Sequence, residues 1–250
     1  PTNWDELHSF AEALKNEGVQ YPLALQVDWG IYDAQELNVF AHQNGGGLIS
    51  DDGKTWTINS PENVEALEFW SSFMTDGLAS PDGPQFLDQV PYFSNGTNAA
   101  GLNGPWFPGW LNDANGADWT DTNLAMSVPP AGPTGDQSSS VGGGNLFALK
   151  GAKNTDGAWK LARYMAQRDT QVDWYGIFGN LPANSTAWED PAIADPYLAD
   201  IRESIEVGTT VPNASTWGQV GKIVGSAMEQ VARGQSTAQD ALDDAQSQAE

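Results

Sequence analysis

Eleven tryptophans occur among the 250 residues, and four of them, Trp29, Trp106, Trp110 and Trp217, stand beside Gly, Pro or amide side chains rather than on a regular apolar face. An indole with amide and carboxylate neighbours suits a neutral sugar. A pyranose offers an apolar C–H face to the ring and a rim of hydroxyls to Asp, Asn and Gln, so the two residue classes divide recognition between them. Trp106 is the sharpest case. The run Phe93-Ser94-Asn95-Gly96-Thr97-Asn98-Ala99-Ala100-Gly101-Leu102-Asn103-Gly104-Pro105-Trp106 passes from a polar turn through small residues into a Gly-Pro step, whose fixed φ holds the next ring at low entropic cost. Asp28, Trp29 and Tyr32 form a second group at the end of a short apolar run. Taken singly, each Trp fits a core or surface position equally well, and Trp4 and Trp70, on helix faces, are assigned to the core.

Other chemistries lack their residues. Cysteine is absent, and His8 and His42 belong to no ligand-spaced pair, so neither a metal site nor a thiol nucleophile is expected. The chain has no GxSxG elbow, no P-loop and no dinucleotide fingerprint, and therefore no expected cofactor. Gly142-Gly143-Gly144 precedes a predicted strand, the wrong order for a phosphate cradle. Asn112 to Asp118 lacks the ligand register of a calcium loop and reads as a polar turn. Carboxylates are so abundant that a pair at glycosidase spacing carries almost no information. No catalytic residue is assigned.

Thirty-three Asp plus Glu against ten Lys plus Arg give a formal charge of −23, which argues against nucleic acid and anionic membranes as partners. Such acidity fits a high-salt environment, and more simply a soluble exported protein. No run of about 18 apolar residues is present to span a membrane. Pro1 follows neither a leader nor an initiator Met, which reads as a processed, trimmed or excised chain.

The elements that must position these residues form an α/β pattern. Thr2 is the expected N-cap of a helix with Trp4, Leu7, Ala11 and Leu14 on its apolar face. Leu23 to Val27 is a predicted strand that delivers Asp28, Trp29 and Tyr32 to its carboxyl end, where open α/β sheets place ligands. Leu48 to Ile58 reads as a hairpin closed at Asp52-Gly53, and Ser60-Pro61 opens a helix ended by Gly77. Further strands are predicted at Leu124–Val128 and Asn145–Leu149, around a Pro/Gly/Ser-rich crossing from Pro129 to Gly144. Helices follow from Thr155 to about Arg168, from a cap at Thr170 through Phe178, from Val220 to Gly234, and after a capping box at Ser236-Thr237-Ala238-Gln239.

The chain resembles the extracellular solute-binding proteins of sugar ABC importers, the maltose-binding-protein-like class. The likeness runs from Pro1-Thr2-Asn3-Trp4-Asp5-Glu6-Leu7 through Asn44-Gly45-Gly46 and Asp51-Asp52-Gly53 to Phe93–Trp106. It continues in Val128-Pro129-Pro130-Ala131-Gly132-Pro133, Gly142-Gly143-Gly144, Leu181-Pro182-Ala183, Gly234-Gln235-Ser236 and Ala241-Leu242-Asp243-Asp244-Ala245. It implies a class II periplasmic-binding-protein-like fold, here mainly the C-terminal lobe, residues 1–133 and 184–250. A crossing segment, 138–182, normally packs on the N-terminal lobe, most of which the likeness leaves uncovered, as in a fragment. It further implies a monomeric, non-enzymatic binder of a mono- or oligosaccharide, periplasmic or a cell-surface lipoprotein, which closes over its ligand and delivers it to a membrane permease. Trp106 would stack on the sugar, Trp29 or Tyr32 with Asp28 would line the cleft, Trp217 would be a third stacking ring, and Gly143, Gly144 and Asn145 would approach from the crossing. Two other readings stay open: a carbohydrate-active enzyme or accessory module using Asp28 and another carboxylate, and a surface protein whose aromatics form an interaction patch.

Overall fold

The structure, a computed structural model, describes residues 1–85, 88–193 and 197–250. In chain order its helices are α1 (Trp4–Asn16), α2 (Ile31–Gln43), α3 (Pro61–Thr75), α4 (Gln89–Ser94), α5 (Phe107–Asn115), α6 (Thr120–Asn123), α7 (Thr155–Met165), α8 (Arg168–Phe178), α9 (Leu198–Glu206), α10 (Trp217–Ala232) and α11 (Ala238–Ala249). The strands are two residues each: β1 (Leu23–Ala24), β2 (Ala100–Gly101), β3 (Ser139–Ser140) and β4 (Gly208–Thr209). Two compact units result. The first comprises Pro1–Leu102, Ser127–Val141 and Glu203–Glu250, and the second Asn103–Met126 and Gly142–Arg202. These cuts fall elsewhere than the expected 1–133 with 184–250 and a separate 138–182.

In the first unit, α2, α3, α10 and α11 pack on one another beside two short parallel pairings, β1 with β2 and β3 with β4. Local chemistry explains each start. Asn3, not Thr2, caps α1, because its Oδ1 accepts the Glu6 N–H while Thr2 donates to the Glu6 carboxylate. Ser60 caps α3 with Pro61 in its first turn, and Thr237 caps α11 by accepting the Asp240 N–H. The expected hairpin is present as the antiparallel bridge Ile49–Trp56, turned at Gly53 with φ +70°. Trp4 and Trp70 lie in the core with Phe40, Leu67, Phe73, Val224 and Leu242, as their helix faces require.

Leu23–Val27 is shorter as a strand than expected. Only Leu23 and Ala24 pair, with Ala100 and Gly101, although Leu25 and Val27 stay buried. The Pro129–Gly144 crossing is fastened through Gln43 at the end of α2. Gln43 accepts the Trp4 indole N–H at 2.7 Å, donates to the Ser138 carbonyl at 3.2 Å, and accepts the Thr134 hydroxyl on its own carbonyl at 3.0 Å.

The second unit has a smaller interior, built from Phe107, Leu111, Ala187, Ile193, Tyr197 and Ile201. The Tyr197 hydroxyl donates to the Thr120 carbonyl at 2.9 Å, and Arg168 pairs with Asp190 at 2.8 Å. Here two strand expectations fail. Leu124–Val128 and Asn145–Leu149 carry no strand, and Leu146, Phe147 and Leu149 are exposed. An apolar run becomes a strand only where another strand satisfies its backbone, and no described residue pairs with either run. Helices α7 and α8 bury no residue completely, although Trp159, Leu161, Tyr164, Trp174, Ile177 and Phe178 give them apolar faces.

Candidate functional site

In the first unit the candidate residues gather where β1 hands over to α2. Gly30 is the N-cap of α2, with φ +67°, and has no side chain to cap with. The cap comes instead from within the helix. Asp33, in the third helical position, accepts the Trp29 N–H on both carboxylate oxygens at 3.0 and 3.2 Å, and also the Gly30 N–H. One turn on, Glu36 accepts the Gln26 N–H at 3.0 Å and the Trp70 indole N–H at 3.1 Å. Both carboxylates are buried, and burial pushes Asp33 up to about 7 and Glu36 up to about 8.

Between these anchors Asp28 is exposed and holds a left-handed backbone, φ +64°, the one non-glycine positive φ among the described residues. Asp tolerates that region better than most residues do. Trp29 is half-buried and Tyr32 is 56% exposed, so an open carboxylate and two aromatic side chains fall within the five residues 28–32. Helix α10 backs this junction closely. A Cβ on Gly225 would overlap the Gly30 carbonyl, and one on Gly221 would meet Ile31 Cγ1 at 2.7 Å and Trp217 Cζ2 at 3.3 Å. Trp217 therefore stands beside the start of α2. It is only 8% exposed and stacks on Trp56 with ring centroids 6.4 Å apart, more a core residue than the open platform expected of it.

In the second unit Trp106 sits in a turn closed by the Phe107 N–H on the Gly104 carbonyl at 3.1 Å, with Pro105 supplying the preset φ. Its indole folds back over Gly104, where a Cβ would overlap the six-membered ring. Gly179, left-handed at the end of α8, lies against the backbone of Pro105 and Trp106. Trp110 is tilted 47° to Trp106 at 6.3 Å, and the Trp106 indole N–H is buried without an acceptor among the described residues. Gly143, Gly144 and Asn145 are exposed in irregular chain, and no neighbour comes within 4 Å of a Cβ on either glycine.

Residues 1–199 match the family model of the bacterial extracellular solute-binding proteins. The chain belongs to this family. Among its relatives are putative binding proteins of Brucella abortus and Brucella suis, each 23% identical over the whole of this chain, which spans 60% of their length. Solved structures of solute-binding proteins share the fold. The sugar-binding protein MalE of Xanthomonas citri superposes with a TM-score of 0.82 at 23% identity, over 99% of this chain and 62% of that one. A Thermotoga lettingae ABC-transporter solute-binding protein with bound α-D-tagatose gives 0.88 at 22% identity, over 100% of this chain and 64% of that one. An Arthrobacter chlorophenolicus sugar transporter protein with bound laminaribiose gives 0.83 at 19% identity, with coverages of 100% and 64%. The architecture is thus that of a MalE-like binding protein, over the part of such a protein that this chain spans.

In this solute-binding protein the structure brings Asp28, Trp29, Tyr32 and Trp217 together in one unit and places Trp106, Gly143, Gly144 and Asn145 in the other. Asp33 and Glu36 escaped the sequence reading. Two acids spaced i, i+3 just ahead of the apolar Leu37, Val39, Phe40 and Ala41 were the available signal. None of the eight candidates lines the open groove of about 390 Å³ between α3 and the start of α11, which has Ser71, Ser72, Thr75, Asp76 and Thr237 on its walls. Among the described residues no cluster of three or more His, Cys, Asp or Glu could hold a metal ion, and no helix is long and apolar enough to cross a membrane.

Proposed function

We propose that this chain is the larger part of a carbohydrate-binding protein that serves an ABC importer without catalysing a reaction. One observation carries this reading: an exposed Asp28, held at a left-handed backbone, is followed in the same loop and first helical turn by the half-buried Trp29 and the exposed Tyr32. A carboxylate accepts from sugar hydroxyls while flanking rings take the C–H face, a division of labour that suits neutral saccharides. Related structures with bound α-D-tagatose and laminaribiose support the ligand class. Trp106 is proposed as a stacking residue, and Gly143, Gly144 and Asn145 as further contacts. Trp217 is kept as a contact through the edge that its burial leaves accessible. The remaining length of the relatives is proposed to supply a first lobe, onto which segment 138–182 packs and against which the ligand-bound protein closes before delivering its sugar to a permease. A periplasmic or lipid-anchored surface location and a monomeric state belong to the same reading.

Tryptophan-fluorescence titration of this chain against maltose, laminaribiose and tagatose tests it. The expected result is a saturable change with at least one of these, weakened about tenfold or more in Tyr32→Ala and in Trp106→Ala, as the loss of one stacked ring implies. Saturable binding that neither substitution affects would remove these rings from the site. Turnover of any of the sugars would replace binding with catalysis.

A further inference from the structure

Asp33 and Glu36 are the deeply buried acids of α2, and their hydrogen bonds have one theme. Between them they take the backbone N–H groups of Gln26, Trp29 and Gly30, three of the five residues that run from the end of the β1 stretch to the cap of α2. That loop holds Asp28 at φ +64°, a backbone region that non-glycine residues keep only when their surroundings over-determine it. Burying a carboxylate is costly unless it is well hydrogen-bonded, so hydrophobic or amide residues at both positions would be the cheaper way to build a core. Acids here make sense if they hold something in place.

We infer that Asp33 and Glu36 are positioning residues, which touch no ligand but fix the Gln26–Gly30 loop in the form that presents Asp28, Trp29 and Tyr32. The inference rests on that loop being the sugar contact proposed above. It carries a pH dependence. Ionised Asp33 accepts the Trp29 and Gly30 N–H groups as charge-assisted bonds, whereas its neutral form must commit a proton and accepts more weakly. The charged groups facing Asp33 are all acidic: Asp28 on the loop, Glu36 on α2 and Glu229 on α10, the last paired with Arg233 at 3.0 Å. Burial and these neighbours hold the proton on, and the two N–H groups pull it off. Asp28 is exposed and screened by water, so direct hydrogen bonding dominates at the loop, which tightens as Asp33 ionises.

The test follows amide resonances of the ¹⁵N-labelled chain from pH 5 to 9. The Trp29 and Gly30 amides should move together with one midpoint near 7, and the Gln26 amide with a midpoint near 8, following Glu36. Asp33→Asn should abolish the first titration and leave the second, and Glu36→Gln should do the reverse. Acids that do not hold the loop would leave these three amides without a midpoint in this range. That result in the unmodified chain overturns the inference even if neither variant folds, as does a Trp29 titration that survives in Asp33→Asn. Silence in the sugar titration would overturn the ligand reading, and the amide titration would still decide the role of the two acids.

Discussion

Asp28 separates backbone cost from ligand chemistry, because the two respond to different substitutions. A non-glycine residue in the left-handed region costs about 1–2 kcal/mol, less for Asp and Asn. Asp28→Gly should therefore leave the urea midpoint nearly unchanged, since relief of strain offsets the added chain entropy. It should weaken sugar binding by about 10–100-fold, the value of a charge-assisted hydrogen bond. Asp28→Val should lose the same binding and in addition lower stability by at least about 1 kcal/mol, the cost of a β-branched residue in that region. The buried acids make a second prediction. Asp33 is raised from 3.8 to about 7 and Glu36 from 4.5 to about 8, so the native chain holds more protons than the unfolded one between those values. Their stabilising contribution is full below about pH 4 and is lost as pH rises through 7 to 8. Denaturant midpoints should fall between pH 6 and pH 9, and the double variant Asp33→Asn, Glu36→Gln should flatten that slope.

At the scale of elements, the glycines of α10 show packing overriding propensity. Gly→Ala inside a helix ordinarily gains about 1 kcal/mol. At Gly218, where no atom lies within 4 Å of a Cβ, that gain should appear in part. At Gly225 the new methyl would overlap the Gly30 carbonyl, and overpacking of this kind costs about 1–3 kcal/mol. The expected outcome is a Gly225→Ala variant less stable than its parent by urea titration, beside a Gly218→Ala variant at least as stable. The helices were legible in the sequence because their information is local: Ser60-Pro61 marks a start, the Ser236–Gln239 box marks another that the structure moves one residue on to Thr237, and Val64, Leu67 and Trp70 recur on one face. Strands were not, because Leu23–Ala24 needs Ala100–Gly101, 77 residues away, to exist. Asn145–Leu149 has the composition of a strand without a described partner. The site divided in the same way. Tyr32 and Trp106 could be singled out by residue type and neighbours, whereas the cap supplied by Asp33 to a loop behind it depends on a fold that had first to be seen.

At the scale of the molecule, the exposed apolar face of the second unit and the charge of −23 act against each other. Phe147, Leu161, Tyr164, Ile177 and Phe178 are each more than half exposed, large apolar side chains where a soluble surface would be polar. The chain spans only 60% of its Brucella relatives, and the proposed first lobe is what would cover such a face. Until it is covered, like charge keeps copies of the chain apart. That repulsion is long-ranged at low ionic strength and is confined to about 3 Å in 1 M salt, while apolar attraction survives or strengthens. Rising salt should therefore drive self-association, seen as a growing sedimentation coefficient together with binding of an apolar dye. Ile177→Ser with Phe178→Ser should suppress both without altering the far-ultraviolet circular dichroism, because neither side chain is buried. A polypeptide extended to the length of the relatives should show neither effect at any salt concentration. If this chain stays monomeric and dye-free in 1 M salt, its apolar face is satisfied within the 250 residues, and the assignment of segment 138–182 to a missing lobe falls.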